Sequence, residues 1–169
     1  MDEKEIAAAV EKIVRGALAV PQKEHNCKCG RYKMTLEKAK KLAEAVQERA
    51  KEVGVKAVVA VADKGGNPVL VQAMDDAYLA SWDVALQKSY TVVALKMSTQ
   101  KLAELAVPGG SLYGIQFTNQ GKIVIFGGGE PLEVDGKIVG GLGVSGGSAE
   151  EDTALAAFGR EKFKEISEC

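Results

Sequence analysis

Cysteine, histidine and aromatic residues are scarce in this chain. Three cysteines, Cys27, Cys29 and Cys169, cannot make an even disulfide framework, and their number suits a reducing compartment. The one histidine, His25, is remote in sequence from any nucleophile of the folded body, which leaves no credible Ser-His-Asp or Cys-His-Asn set. Excess charge of either sign is missing too. The chain carries 22 basic and 23 acidic residues with no basic stripe, so nucleic acid is not an expected partner. No apolar run nears the ~20 residues that a membrane helix needs. The opening Met1-Asp2-Glu3-Lys4 lacks the apolar region of a secretory signal, so a cytoplasmic protein is expected. Internal repeats and low-complexity tracts are absent.

What is present is enough apolar residue, 46% of 169, for one domain with a short extension. Residues 1–20 read as an amphipathic helix, with Ile6, Val10, Ile13, Val14, Ala17 and Leu18 on one stripe and Pro21 as its stop. Residues 21–33 are polar and without periodicity, which predicts a linker. The domain proper is expected over residues 34–169. Thr35 is a candidate N-cap for a helix whose stripe is Leu36, Ala39, Leu42, Ala43, Val46, Ala50 and Val53, with Gly54 as its end. The β-branched run Ala57–Ala62 predicts a central strand. A turn at Asp63–Asn67 leads into a second strand, Pro68–Met74. Helices are expected at 77–97 and 99–106, the first capped by Asp75 or Asp76. A strand is expected at 122–126, a loop at 127–132, a tight turn centred on Asp135-Gly136 and a last strand at 138–144. Ser148 and Glu151 form a capping box for a terminal helix with Leu155, Phe158, Phe163 and Ile166 on its core face. Hairpins in place of crossovers predict an α+β fold, with a largely antiparallel sheet flanked by helices.

Several groups carry chemical interest. Gly141-Leu142-Gly143-Val144-Ser145-Gly146 has the spacing of a dinucleotide fingerprint, but too little chain follows it for the second parallel strand that such a site needs. The plainer reading is a glycine-lined strand that another backbone or a ligand approaches closely. Gly127, Gly128 and Gly129 leave amides uncovered by side chains, which fits either a tight turn or a small-molecule pocket shared with Tyr113 and Lys88. Lys88 lies among apolar neighbours, where it either snorkels to solvent or pairs with a ligand carboxylate. His25, Cys27 and Cys29 offer nitrogen and sulfur donors within one short segment. They suit a haem axial ligand or, with Cys169, a metal or metal cluster held between subunits; the alternative is an inert linker.

The segments VVAVADKGGNPVLVQAMDDA at 58–77, VALQKSYTVVALKMSTQKLAEL at 84–105, PGGSLYGIQFTNQGKIVIFGGGEPLEVDG at 108–136 and GGLGVSGGSAEED at 140–152 together resemble the GlcG/HbpS family, which includes the C-terminal domain of PduO-type proteins. The resemblance implies a profilin-like layering of helices on a sheet, and a homo-oligomer, often an octamer. It also implies haem binding in some members, with a histidine near the start of the domain in the role, and corrinoid metabolism in the PduO-type branch. A defined reaction is not general to the family, so a classical enzyme is not expected. Residues 1–20 resemble the encapsulation peptides of bacterial microcompartment cargo. That likeness implies shell or cargo proteins as partners and the compartment lumen as a location.

Overall fold

A computed structural model describes residues 30–168. The predicted helix over residues 1–20, His25, Cys27, Cys29 and Cys169 lie outside the described residues.

Helix α1 spans Leu36–Glu52, and the Thr35 hydroxyl accepts from the Lys38 amide at 3.2 Å as its N-cap. Ala39, Leu42, Ala43, Val46 and Ala50 are fully buried, while Leu36 and Val53 at the ends of the stripe are half exposed. Strand β1 (Val58–Asp63) turns through Asp63–Asn67 into β2 (Pro68–Ala73). Helices α2 (Leu79–Leu95) and α3 (Thr99–Leu105) follow. Two 3-10 turns, Ile115–Phe117 and Asn119–Gly121, lead to the hairpin of β3 (Gly129–Val134) and β4 (Lys137–Ser145). Helix α4 (Ala149–Glu168) ends the fold. Its capping box is formed in both directions: the Ser148 amide donates to Glu151 at 2.8 Å and the Glu151 amide to the Ser148 hydroxyl at 3.2 Å.

The sheet has the order β2-β1-β4-β3 and is antiparallel throughout. The apolar strand β1 is central, as expected, and β2 and β3 are the edges. Because side chains alternate across a strand, Val59, Val61, Leu142 and Val144 face α1 and α4 and form the main core with Leu42, Val46, Leu155 and Phe163. Val58 and Ala60 face Ala85 of α2 on the other side. The result is an α+β sandwich with the sheet as its middle layer.

Two expectations are corrected. Residues 122–126 are not a strand. The amide of Val124 donates to the Thr91 hydroxyl of α2 at 3.1 Å, so this run is fastened to a helix, and residues 129–134, expected to begin as a loop, take the place beside β4. The Asp135-Gly136 turn sets that register, with left-handed φ values of 49° and 72° that match a two-residue hairpin. Nor does Asp75 or Asp76 cap α2. Asp76 adopts a left-handed turn (φ 63°), and the helix starts after Tyr78 with no side-chain cap.

Candidate functional site

Lys88 occupies the junction of the sandwich layers. It is fully buried, which corrects the expectation of a side chain reaching to solvent. Its Nζ donates to the Val144 carbonyl of β4 at 2.8 Å and to Asp152 Oδ2 of α4 at 2.8 Å, and it lies 4.9 Å from the centroid of the Phe126 ring. Asp152 is 3% exposed, and its other oxygen accepts from the Gly147 amide at 3.0 Å. Burial draws the Lys88 amine below the ordinary lysine range, and the Asp152 carboxylate opposes that shift. Three directions around the ammonium are thereby filled by the protein itself, so this centre ties α2, β4 and α4 together.

The glycine run borders the same centre. A β-carbon on Gly128 would stand 2.5 Å from Lys88 Nζ, and one on Gly129 would stand 2.7 Å from Thr99. The amide of Gly129 donates to the Thr99 hydroxyl at 2.8 Å, and the carbonyl of Gly128 accepts from the Val144 amide at 2.8 Å. Of the three amides expected to be open, that of Gly129 is therefore taken up within the fold. All three glycines are buried, and Gly127 packs against Thr153 and Gln100. Tyr113 is 63% exposed on the segment after α3, and no hydrogen bond joins it to Lys88 among the described residues. The structure thus unites Lys88 with Gly128 and leaves Tyr113 at the surface.

Gly141 and Gly143 act as the plainer reading supposed. A β-carbon at either would run into the α2 backbone, at Ser89 and Ala85 respectively, so the approaching group is a helix. Asp152 and Phe126 escaped notice in the sequence. Asp152 resembles one more acidic residue in a first helical turn, and nothing local announces a partner 64 positions away.

No group of three His, Cys, Asp or Glu able to hold a metal occurs among the described residues. Those residues also contain no histidine and no cysteine. Met74, the softest alternative donor near the sheet, already accepts the Ala57 amide at 3.4 Å on its sulfur. The imidazole and thiol donors of the chain are His25, Cys27, Cys29 and Cys169. The described chain starts at the β3–β4 turn, where the Tyr32 phenol donates to Asp135 at 2.6 Å and Lys137 lies 5.5 Å from the Tyr32 ring. No described helix is long and apolar enough to cross a membrane.

Comparison with known proteins agrees with this architecture. A family model described as haem degrading protein HbpS-like matches residues 34–161. A Citrobacter freundii protein encoded between dhaT and dhaS is 47% identical over 133 residues, which covers 79% of this chain and 94% of that protein. The corrinoid adenosyltransferase PduO of Salmonella typhimurium is 37% identical over 157 residues, covering 90% of this chain. The chain spans 47% of that relative's length. Among solved structures, the PduOC:heme complex superposes with a TM-score of 0.73 at 39% identity, over 76% of this chain and 94% of that one. The match to the family model over most of the chain, together with these relatives, shows that the chain belongs to the HbpS-like family.

Proposed function

We propose that this protein binds haem as an accessory protein of a corrinoid-using bacterial microcompartment. The observation that carries the reading is the likeness to the PduOC:heme complex. The donor set supports it. No histidine or cysteine occurs among the described residues, so an imidazole ligand would be His25, with Cys27 and Cys29 as the thiolate alternative. Bound haem would supply redox and ligand chemistry at its iron; the chain's own part is to donate that ligand and to shield the porphyrin face. His25 is five residues from Gly30, so its reach is about 18 Å from the β3–β4 end of the sheet.

Cavities at α2, at β3–α4 and at α1–α4 measure about 190, 260 and 190 Å³. Each is smaller than the roughly 300–1,000 Å³ of a drug-sized pocket. A porphyrin would exceed each of these three, and would lie on a surface closed by a second copy of the chain. Leu79 (95% exposed) and Trp82 (49% exposed) on one face of α2 give such an oligomer an apolar contact. Corrinoid metabolism enters through the PduO relatives. Residues 1–20 would carry the protein into the compartment by laying an apolar stripe in a partner groove.

Haemin added to the full-length protein should give a saturable Soret band in proportion to chain, and His25→Ala should weaken or shift it. Binding of zinc or iron alone, lost with Cys27→Ser, would favour the competing reading of a metal cluster on His25, Cys27 and Cys29. A reporter fused to residues 1–20 should form puncta in a host that assembles compartments, and Val10→Asp with Ile13→Asp should disperse them. Diffuse signal from the unaltered fusion would remove the targeting claim.

A further inference from the structure

Beside α2 and the β1–β2 turn lies a cavity of about 190 Å³ to which the haem reading assigns no role. Three separate pieces of chain wall it: Gly66 and Pro68 from the β1–β2 turn, Asp83, Leu86, Gln87 and Tyr90 from α2, and Lys122. Each wall is held in place. Gly66 is left-handed (φ 77°), and a β-carbon there would stand 2.9 Å from the Tyr90 ring, so the turn and the ring are fitted to each other. The Tyr90 phenol donates to Asn119 Oδ1 at 3.3 Å. The amide of Val124 donates to the Thr91 hydroxyl at 3.1 Å, and that hydroxyl donates to the Gln87 carbonyl at 2.8 Å, which pins the third wall to α2.

The third wall is also strained. Asn119 and Gln120 take left-handed φ values of 50° and 60° in succession, a conformation that asparagine tolerates and that costs Gln120 roughly 1–2 kcal/mol. Such cost is retained where a segment must present something. What it presents is Lys122. This lysine is exposed, has no carboxylate within ion-pair distance among the described residues, and lies 5.9 Å from the Tyr90 ring centroid. Asp83, the acid of the cavity wall, instead accepts from Gln87 at 2.6 Å.

An ammonium with no ion-pair partner among the described residues, at the lip of a partly apolar cavity, is complementary to an anion that carries an apolar body. The volume equals that of about six waters. We infer that this cavity binds a small organic carboxylate, its charge on Lys122 and its apolar part against Leu86, Pro68 and the Tyr90 ring. None of the wall residues is among the donors, His25, Cys27 and Cys29, proposed for the iron.

Benzoate is a suitable probe, with benzyl alcohol as its uncharged counterpart. In amide-detected NMR of the full-length protein, benzoate should shift Gly66, Gln87 and Lys122 saturably, and benzyl alcohol should bind at least tenfold more weakly. Lys122→Gln should weaken benzoate about tenfold, the loss of one charge-assisted contact of about 1.4 kcal/mol. Lys122→Arg should retain it. Both substitutions are at an exposed side chain, so the spectra of the free variants report an intact fold. Equal affinity for the alcohol, an unaltered affinity in Lys122→Gln, or shifts that never saturate would each overturn the assignment.

Discussion

Lys88 shows what one buried charge demands. Its ammonium is satisfied only because Asp152, the Val144 carbonyl and the Phe126 ring converge on it from other elements. Removing one member of such a pair leaves the other buried and unpaired. Lys88→Met should therefore cost about 3–5 kcal/mol in urea unfolding. Lys88→Met combined with Asp152→Asn should recover a good part of that loss, since the amide carries no charge and its oxygen can still accept from Gly147. If the double variant is no more stable than the single one, charge is not what holds this junction. Asp63 behaves differently because it is near solvent. Burial alone would raise its carboxyl, but hydrogen bonds from Asn67 and Gly65 outweigh that and hold it below the ordinary aspartate range. A depressed acid stabilises the fold at pH values above its unfolded pKa, and the contribution fades as pH falls through the folded value. Asp63→Ala should lower Tm at pH 7, and the gap to the unaltered protein should close progressively below about pH 4. A gap constant from pH 7 to 2.5 would mean that the turn, and not the carboxylate charge, matters.

At the scale of elements, what is local in the sequence was legible and what is pairwise was not. Thr35, Gly54 and the Ser148–Glu151 box mark helix ends by chemistry confined to four or five residues, and all three are found in the fold. The β1 run and the Asp135-Gly136 turn were readable for the same reason. Lys122–Phe126 misled because an apolar β-branched run looks alike whether it pairs with a strand or packs on a helix. The deciding group is Thr91, thirty-three residues away from Val124. The candidate site was half legible. Lys88 and the glycines stood out by type, whereas their relation, glycines packed around a buried lysine, depends on contacts across the sheet. Thr91→Val keeps the shape and deletes the hydroxyl. It should cost about 1–3 kcal/mol by stranding the Val124 amide, and hydrogen exchange should rise first across 122–126. Unchanged protection there would show that the segment is held by Ile123 and Val124 burial alone.

For the whole molecule, the last residues of the expected linker touch the domain. Gly30–Lys33, expected within the linker, docks on the body: Tyr32 and Arg31 reach Asp135, and Lys38 Nζ donates to the carbonyls of Gly30 and Arg31 at 3.0 and 3.2 Å. A chain beginning at Gly30 should match the full-length Tm, whereas one beginning at Leu36 should lose these contacts and the Thr35 cap, about 1 kcal/mol or more. Equal Tm for the two truncations would place the boundary at the helix.

The two outer strands bear on how copies of this protein can meet. Both exposed rims of the sheet carry a proline, Pro68 at the start of β2 and Pro131 within β3, and each lacks the main-chain donor that a docking strand would use. Neither rim offers an unbroken ladder for another chain to continue. Any self-association is thus steered away from open-ended, fibre-like stacking of strands and toward contacts made by helix surfaces.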